Sequence, residues 1–520
     1  MSRRHRIHAD SVFSIIAIVR DAPTFSRLLD RHNRGPSRVA TLLNRRRYRW
    51  VLVIGWLFSG LIFVAVVVFE GGFNQGDRSE VLLPTWAMAH GAFACAYSNP
   101  GVIKHVYAAP AYSMITAGLS ALLRIGHTIP FPTSAELGSE CGTSVSAISS
   151  WAIRSGAVHS TMLLGYVAPL ALLLGMVSVF EGTLFRRTLW EVVALVTIAL
   201  TPAMFLAFAF FFHPQDVLAM GILLGAIAAA SSRRWGLCGV LLGLAFVTQQ
   251  FALLVGVLFL VLVPRRSRMR LIAGAGSVVA AVSAPLTLLA VPSQRMSVLR
   301  TIVFGSDRIM LGANHFVSAG GTIVYAAHLS GDALFLVSRA MPVISVALVA
   351  FWARRRFGPQ VLEPPLVLSL VGLSLGARLV FEQNLFGYYF LAAAVLLVLV
   401  DTTEGRLRVS TLTWLGVQMI VFNTIPALSS QWRIAITTGT AVTVVIYILV
   451  SLSKGRIRWG ALAFLIFIFV MSLRFVYWSG ITFTSIPTWV WQIVLVPWVF
   501  FLLADPLRIA DPCPSAPPRK

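Results

Sequence analysis

The chain has 520 residues, of which 57% are hydrophobic and only 12% are charged. Soluble domains carry about 25% charged residues, so this chain has too little charge to cover its surface in water. Its apolar runs are about 15 to 24 residues long and recur almost to the end, which predicts an all-α bundle of transmembrane helices and not a barrel of short strands.

The formal net charge of +23 does not indicate nucleic-acid binding, because the basic residues form short clusters and not one continuous face. Such clusters mark cytoplasmic loops under the positive-inside rule. They lie between apolar runs at 45–49, 186–187, 233–234, 265–270, 354–356, 406–408 and 454–458. Their placement predicts a multi-pass protein with a cytoplasmic N-terminus.

The first part of the chain, residues 1–49, is a basic polar segment that we expect in the cytoplasm. The run 50–69 predicts a retained first span, since no small-residue cleavage site follows it. About fourteen spans are expected in all. They lie near 50–69, 160–181, 189–212, 215–231, 235–248, 250–264, 271–291, 333–353, 361–378, 386–401, 410–426, 432–452, 459–477 and 487–504. Residues 505–520 predict a disordered cytoplasmic tail.

One apolar run, Ala108–Ile125, is interpreted as an amphipathic helix in the outer interface. Counting it as a span would move the later arginine clusters to the outer side, against the positive-inside rule. The interpretation creates a long first outer loop, 70–159, and loops of this length are usually functional. Cys95 and Cys141 fall in this loop. Outside the cytoplasm they form either a disulfide or two separate thiols.

The outer loop begins with an acidic segment followed by a predicted helix, about Ser79–Gly91. Asp77 and Glu80 have the spacing of a capping box at the start of that helix, and His90 lies near its end. The pattern leaves two roles open for Asp77, helix capping and chemistry, and the two are compatible.

Three further polar segments fall at outer ends of predicted spans. His213 and Asp216 flank Pro214, a pattern typical of a helix start and also of a polar ligand site. Gln249 and Gln250 suit either hydrogen bonding between helices or donation to phosphate and sugar hydroxyls.

The last polar segment contains Arg378, Tyr388 and Tyr389. An arginine here is suited to bind phosphate, whereas paired tyrosines at a membrane boundary are also typical of the aromatic belt.

The chain has no Walker loop, dinucleotide fingerprint, Cys-x-x-Cys pair or His-Glu-x-x-His motif, which argues against ATP hydrolysis and a structural zinc site.

In this order, these segments resemble the GT-C membrane glycosyltransferases, and among them glycosyltransferase family 87. The resemblance covers residues 50–405, the expected catalytic membrane core, and residues 406–504 add C-terminal transmembrane helices. It rests on Gly76-Asp77, Ala89-His90-Gly91 with Tyr97, Tyr107 to Tyr112, Phe212 to Asp216, Gly239 to Gln250, and Gly387-Tyr388-Tyr389 leading to Asp401. Two departures are Gln249, where relatives often have lysine, and the single Pro110 in place of two prolines.

The resemblance implies transfer of a sugar from a polyprenyl-phosphate donor to a glycolipid or glycan acceptor on the outer face of the plasma membrane. Mannose is the first candidate sugar and arabinofuranose the second. Asp77 is then the general base, and the expected substrate-binding residues are Glu80, His90, His213, Asp216, Gln249, Gln250, Arg378, Tyr388 and Tyr389. No cofactor is expected beyond the lipid-linked sugar, and a divalent metal is left open.

Two other classes remain open on the sequence. A transporter or lipid flippase uses similar spans, but it commonly shows two related halves, which this chain lacks. A non-catalytic protein of the same fold is the second.

Only three of the 42 basic residues are lysines, a bias typical of GC-rich bacterial genomes.

Overall fold

The computed structural model describes residues 75–97, 110–125, 147, 150, 165–181, 188–199, 201–210, 212–304, 339–382, 387–421 and 488–510. All of them belong to one compact unit, Gly55–Lys520. Across these residues every regular element is a helix, which confirms the all-α prediction. The total of about fourteen spans stays a prediction. Residues 1–49, the spans expected at 50–69, 432–452 and 459–477, and Cys141 lie outside the described residues.

Fifteen α-helices follow one another along the described part of the chain. They are α1 Gln75–Ala89, α2 Pro110–Ile125, α3 Val167–Glu181, α4 Thr188–Ala199, α5 Pro202–Phe205, α6 Pro214–Ser231, α7 Trp235–Thr248, α8 Ala252–Leu262, α9 Arg265–Leu289, α10 Arg295–Phe304, α11 Met341–Phe357, α12 Pro364–Phe381, α13 Leu391–Thr403, α14 Val409–Val421 and α15 Thr488–Ile509. Short 3₁₀ turns occur at Phe93–Cys95, Pro292–Gln294, Gly358–Leu362 and Gly387–Phe390, and a π-helical turn at Leu206–Phe210.

Within the described residues, three helices, α6, α9 and α12, are long and apolar enough to cross a membrane, and four shorter apolar helices accompany them. The protein is therefore a membrane protein. The apolar window of α6 is 78% buried in the protein, whereas that of α9 is only 17% buried. Helix α6 thus lies at the centre of the bundle, and most of the α9 surface is left for lipid.

Glycines let several helices approach at backbone distance, as is common between membrane helices. A Cβ atom on Gly221 of α6 would lie 2.4 Å from the backbone of α3 at Ala171. One on Gly239 of α7 would lie 2.2 Å from the carbonyl oxygen of Leu271 in α9, and one on Gly243 would lie 2.5 Å from that of Ala275. Helices α3, α6, α7 and α9 therefore pack as a closely spaced row.

Buried ion pairs join α13, α14 and α15 at one end of the bundle. Asp401, which is fully buried, accepts from the side-chain Nε of Arg408 at 2.6 Å and from its backbone N–H at 2.8 Å. Nη1 of Arg408 also donates to Asp505 at 3.0 Å and to the carbonyl oxygen of Leu502 at 3.1 Å. The C-terminal helix is thus tied to the core by a charge that has been removed from water.

Helices α1 and α2 pack on each other through hydroxyl groups. Oγ1 of Thr85 and Oγ1 of Thr116 lie 2.9 Å apart, and the hydroxyl of Tyr97 donates to Oγ of Ser113 at 3.2 Å. All four residues are buried, while Leu122 of α2 is 67% exposed. The second helix therefore turns small polar groups inward and leucine outward, a pattern suited to an apolar surrounding. Burial also raises the pKa of the Tyr112 hydroxyl.

Several predicted boundaries were wrong. The span expected at 189–212 is broken into α4, α5 and the π-helical turn, because Pro202 has no backbone N–H for a continuous helix. The first loop helix begins at Gln75, not near Ser79, and α9 begins at Arg265, six residues before the expected start. The tail was expected from residue 505, but α15 continues to Ile509, where Asp505 makes the contact with Arg408.

Candidate active site

The site lies at one end of the central helices. Helices α6, α8, α11 and α13 begin at this end, and α7 and α12 finish there. The described arginine clusters at 233–234, 265–270, 354–356 and 406–408 lie at the opposite ends of these helices. One of them, Arg354, donates to the carbonyl oxygens of Val261 and Val263 at the end of α8. Polar site and basic surface are therefore separated by the length of the bundle.

The chain enters α6 through an irregular turn. The π-helical turn Leu206–Phe210 is followed by Phe212, a buried residue with a φ of 53°. A positive φ is costly for an aromatic residue, and both this conformation and π-helical turns are common at functional sites. The turn positions His213 just ahead of Pro214, the first residue of α6, and places Asp216 in the first helical turn.

Asp216 is held from α7 across 33 residues of sequence. Nε2 of Gln249 donates to Oδ1 of Asp216, and both side chains are buried, with 3% and 9% exposure for Asp216 and Gln249. The backbone N–H of Gln250 donates to Oε1 of Gln249 at 3.2 Å, which fixes the other end of the amide. The second oxygen of Asp216 has no hydrogen-bond partner among the described residues. The carboxylate thus presents one oxygen that remains available.

His213 packs against a tyrosine of the 3₁₀ turn that precedes α13. Its ring is stacked on Tyr388 with 4.3 Å between centroids and an angle of 17°. Nδ1 of His213 lies 3.0 Å from Nε2 of Gln215, within hydrogen-bonding distance. Tyr388 in turn meets Tyr389 edge to face at 4.7 Å. The histidine therefore contributes to positioning the tyrosine pair.

Arg378, in the last turn of α12, is held by one carboxylate and two aromatic rings. Its Nε donates to Oε2 of Glu382 at 3.2 Å, an i,i+4 pair. The guanidinium carbon lies 3.7 Å from the ring centre of Tyr389 and 5.4 Å from that of Phe251. Oε1 of Glu382 also accepts from Arg339 at 3.4 Å. Within the described residues, both terminal amino groups of Arg378 are without a hydrogen-bond partner, so they remain able to bind an anion.

A small cleft opens between these groups. Its lining is polar on one side and apolar on the other, and consists of Asp216, Arg378, Tyr388, Tyr389, Met220, Phe251, Leu375, Leu391 and Ala392. Among the described lining residues Asp216 is the only acid. The lining thus brings one carboxylate, one guanidinium and two phenol groups beside apolar side chains.

Six of the residues singled out in the sequence meet here: His213, Asp216, Gln249, Arg378, Tyr388 and Tyr389. Gln250 belongs to the same turn, but its amide donates to the carbonyl oxygen of Ile302 in α10 at 3.0 Å. His90 packs on its own helix, with Nδ1 3.0 Å from the carbonyl oxygen of Trp86.

The leading catalytic candidate lies on another helix. The backbone places Asp77 and Glu80 in the first turns of α1, and their side chains lie outside the described residues. Cys95 is disulfide-bonded and Cys238 is free and buried, while the pairing of Cys95 with Cys141 stays a prediction. In the described part of the chain no group of three His, Cys, Asp or Glu side chains is arranged to hold a metal ion.

Sequence reasoning missed Phe251, Arg339 and the bridging role of Glu382. Arg339 fell inside the span expected at 333–353, and an ionisable residue inside an apolar run was the signal available for it. The i,i+4 spacing of Arg378 and Glu382 was a second signal. Phe251 carried none, because an aromatic residue in an apolar helix is usually part of the packing.

The central segment of the chain is similar to a known protein family. Comparison with the curated proteins gave no match. The model of glycosyltransferase family 87 matches residues 144–381, a range that contains His213, Asp216, Gln249 and Arg378 but neither Asp77 nor the tyrosine pair. Residues 144–381 are thus similar to glycosyltransferase family 87, in agreement with the resemblance that the motifs indicated.

Proposed function

We propose that this protein moves a sugar, with mannose as the first candidate, from a polyprenyl-phosphate donor to a lipid- or glycan-linked acceptor. The observation that carries the proposal is the cleft around Arg378, whose two terminal amino groups have no hydrogen-bond partner among the described residues and lie beside an apolar wall. An anionic lipid needs both features, since arginine binds phosphate bidentately and the tail needs an apolar surface. The family match supplies the reaction class.

Arg378 has two roles in this proposal. It binds the phosphodiester of the donor, and it stabilises the negative charge that develops on the phosphate as the sugar leaves. Glu382 neutralises part of the Arg378 charge, but Arg339 shares that carboxylate at 3.4 Å. Arg339 thereby restores the attraction for the donor phosphate that Glu382 would otherwise cancel.

Asp77 is the proposed general base, as the family resemblance implies. It takes the proton of the acceptor hydroxyl while the hydroxyl oxygen forms a bond to the anomeric carbon. The bond from that carbon to the phosphate oxygen breaks, and the lipid phosphate leaves with the electron pair. A positioned base contributes typically 10²–10⁴-fold to the rate.

The reaction is proposed to take place on the outer face of the plasma membrane. The arginine clusters lie at the helix ends opposite the cleft, and such clusters favour the cytoplasmic side. With that orientation the cleft opens at the outer surface. A donor that arrives already attached to lipid needs no nucleotide-binding domain.

A transporter is the less favoured function. Its pathway would need polar groups near the middle of the bundle. In the described residues, the buried ion pairs are at the two ends, around Arg378 and around Arg408. Between Asp216 and Ser231 helix α6 has only apolar side chains and glycine.

The proposal is tested with purified full-length protein in lipid nanodiscs and radiolabelled polyprenyl-phosphate mannose. Arg378→Gln should lower sugar transfer by roughly 10²-fold, the size of effect seen when a charge-stabilising donor is removed. The matched control is Arg355→Gln, because Arg355 is exposed at the opposite end and stacks only on Phe351 at 4.2 Å. Unchanged donor dependence in Arg378→Gln would remove this arginine from the site, and transbilayer movement of intact donor without transfer would favour the transporter.

A further inference from the structure

We propose that Asp216, held by Gln249, binds hydroxyl groups of the donor sugar and makes the cleft prefer the glycosylated lipid phosphate to the spent lipid phosphate. This inference rests on the proposed function, since it assigns the sugar-binding part of the same cleft. It adds a selectivity between donor and product that the reaction class alone does not require.

The carboxylate of Asp216 is held in a fixed position. Asp216 is buried, with an exposure of 3%. Its Oδ1 accepts a hydrogen bond from the side-chain amide of Gln249. Asp216 lies in the first turn of the 18-residue helix α6, at the positive end of the helix dipole. One oxygen is therefore anchored, while the other has no hydrogen-bond partner among the described residues.

The carboxylate and the phosphate site belong to one cleft. Asp216 and Arg378 line the same cleft. In the donor, the sugar is linked directly to the phosphate. A phosphate bound by the amino groups of Arg378 consequently brings the attached sugar next to Asp216.

An acid beside a phosphate site makes binding depend on the hydrogen-bond donors of the ligand. A carboxylate repels phosphate, so its presence weakens binding unless the ligand supplies hydrogen-bond donors. Sugar hydroxyls supply them, and hydrogen bonds to a charged group are about twice as strong as neutral ones.

The negative charge on the lipid phosphate increases when the sugar is transferred. The donor is a phosphodiester with one negative charge, whereas the released lipid phosphate is a monoester with a charge of about −1.5 to −2 near neutral pH. Transfer removes the hydroxyls that Asp216 binds and increases the repulsion that it exerts. The same side chain therefore favours donor binding and product release.

The test measures the affinities of two probes, farnesyl phosphate and farnesyl-phosphoryl-mannose, for the full-length protein in nanodiscs. Farnesyl-phosphoryl-arabinofuranose is run in parallel to cover the second candidate sugar. The wild type should prefer a glycosylated probe, and Asp216→Asn should reduce the ratio of affinities by roughly 10- to 100-fold. Part of that change should appear as tighter binding of farnesyl phosphate, a gain that a merely structural defect would not produce.

Glu382→Gln is the matched control. It removes one negative charge beside Arg378 but from a residue outside the cleft lining. It should change the affinities for both probes in the same direction and leave their ratio within about threefold.

Each outcome has a definite meaning. An unchanged ratio in a folded Asp216→Asn protein overturns the inference while the proposed function stands. Absence of binding of every probe to the wild type contradicts the proposed function instead. If Asp216→Asn does not fold, Gln249→Met replaces it, because this variant releases the carboxylate without changing its charge. A ratio that does not fall in Gln249→Met also overturns the inference.

Discussion

The replacement Gln249→Lys examines the charge balance of the cleft. Two guanidinium groups, Arg378 and Arg339, lie near two carboxylates, Glu382 and Asp216, so the four formal charges sum to zero. Because the amide of Gln249 donates to Asp216, an ammonium group at the same position would pair with that carboxylate. The sum would rise to +1, and we expect stronger binding of a lipid phosphate.

The magnitude follows from Coulomb's law. Two unit charges ~6 Å apart interact by about 3 kcal/mol at an effective dielectric constant of ~20. Pairing with Asp216 and partial exposure of the cleft reduce this attraction, and about 1.4 kcal/mol corresponds to a factor of ten. We therefore expect the affinity for farnesyl phosphate to rise by roughly 10- to 100-fold in low salt.

The assay is titration of farnesyl phosphate into purified protein in nanodiscs at two ionic strengths. Gln360→Lys is the matched control, because Gln360 is exposed in the 3₁₀ turn at the opposite end of the bundle, and its affinity should stay at the wild-type value. Turnover of Gln249→Lys should become more sensitive to inhibition by the product. Weaker or unchanged binding in a normally folded Gln249→Lys protein would refute this account of the cleft charges.

Three further variants test other parts of the molecule. Gly221→Ala should lower the free energy of unfolding by about 1–3 kcal/mol, because its Cβ would meet a neighbouring backbone at 2.4 Å, whereas Gly256→Ala has no atom within 4 Å and should be neutral by thermal unfolding. Arg408→Met should destabilise the protein by about 3–5 kcal/mol by leaving a buried carboxylate without its partner, while Arg406→Met, from a pair with 46% exposure on the arginine, should cost less than about 1 kcal/mol. Asp77→Asn should abolish sugar transfer with little change in unfolding temperature; retained transfer would contradict the base assignment, and a large loss of stability would favour a structural role in the first turn of α1.

Helix type and approximate position could be read from the sequence because lipid requires each span to satisfy its own backbone hydrogen bonds. The turn around Gln249 was predicted at the right place, since polar residues interrupt two apolar runs there. The break at Pro202 and the first turn of α9 at Arg265 were not, because apolar periodicity carries no information about the polar turns that extend or interrupt a helix.

The candidate site was predicted as a set of residues and not as an arrangement. His213, Asp216, Gln249 and Arg378 were each recognisable as polar groups at the same side of the membrane. Their contacts depend on how α6, α7 and α12 pack on one another, which the linear order of residues does not specify. Arg339 was missed because its partner, Glu382, is 43 residues away in the sequence.

The amino-acid sequence by itself indicated a membrane protein, its helical class, the side on which its basic clusters are expected and the similarity of its central segment to glycosyltransferase family 87. These properties depend on composition and on short-range order, which a linear pattern records. Only the tertiary structure decided that Gln249 binds Asp216, that His213 stacks on Tyr388 and that Arg378 keeps two amino groups available beside the only acid among the described lining residues. Such contacts join distant positions through helix packing, and helix packing depends on the shapes of side chains that meet only in the folded chain.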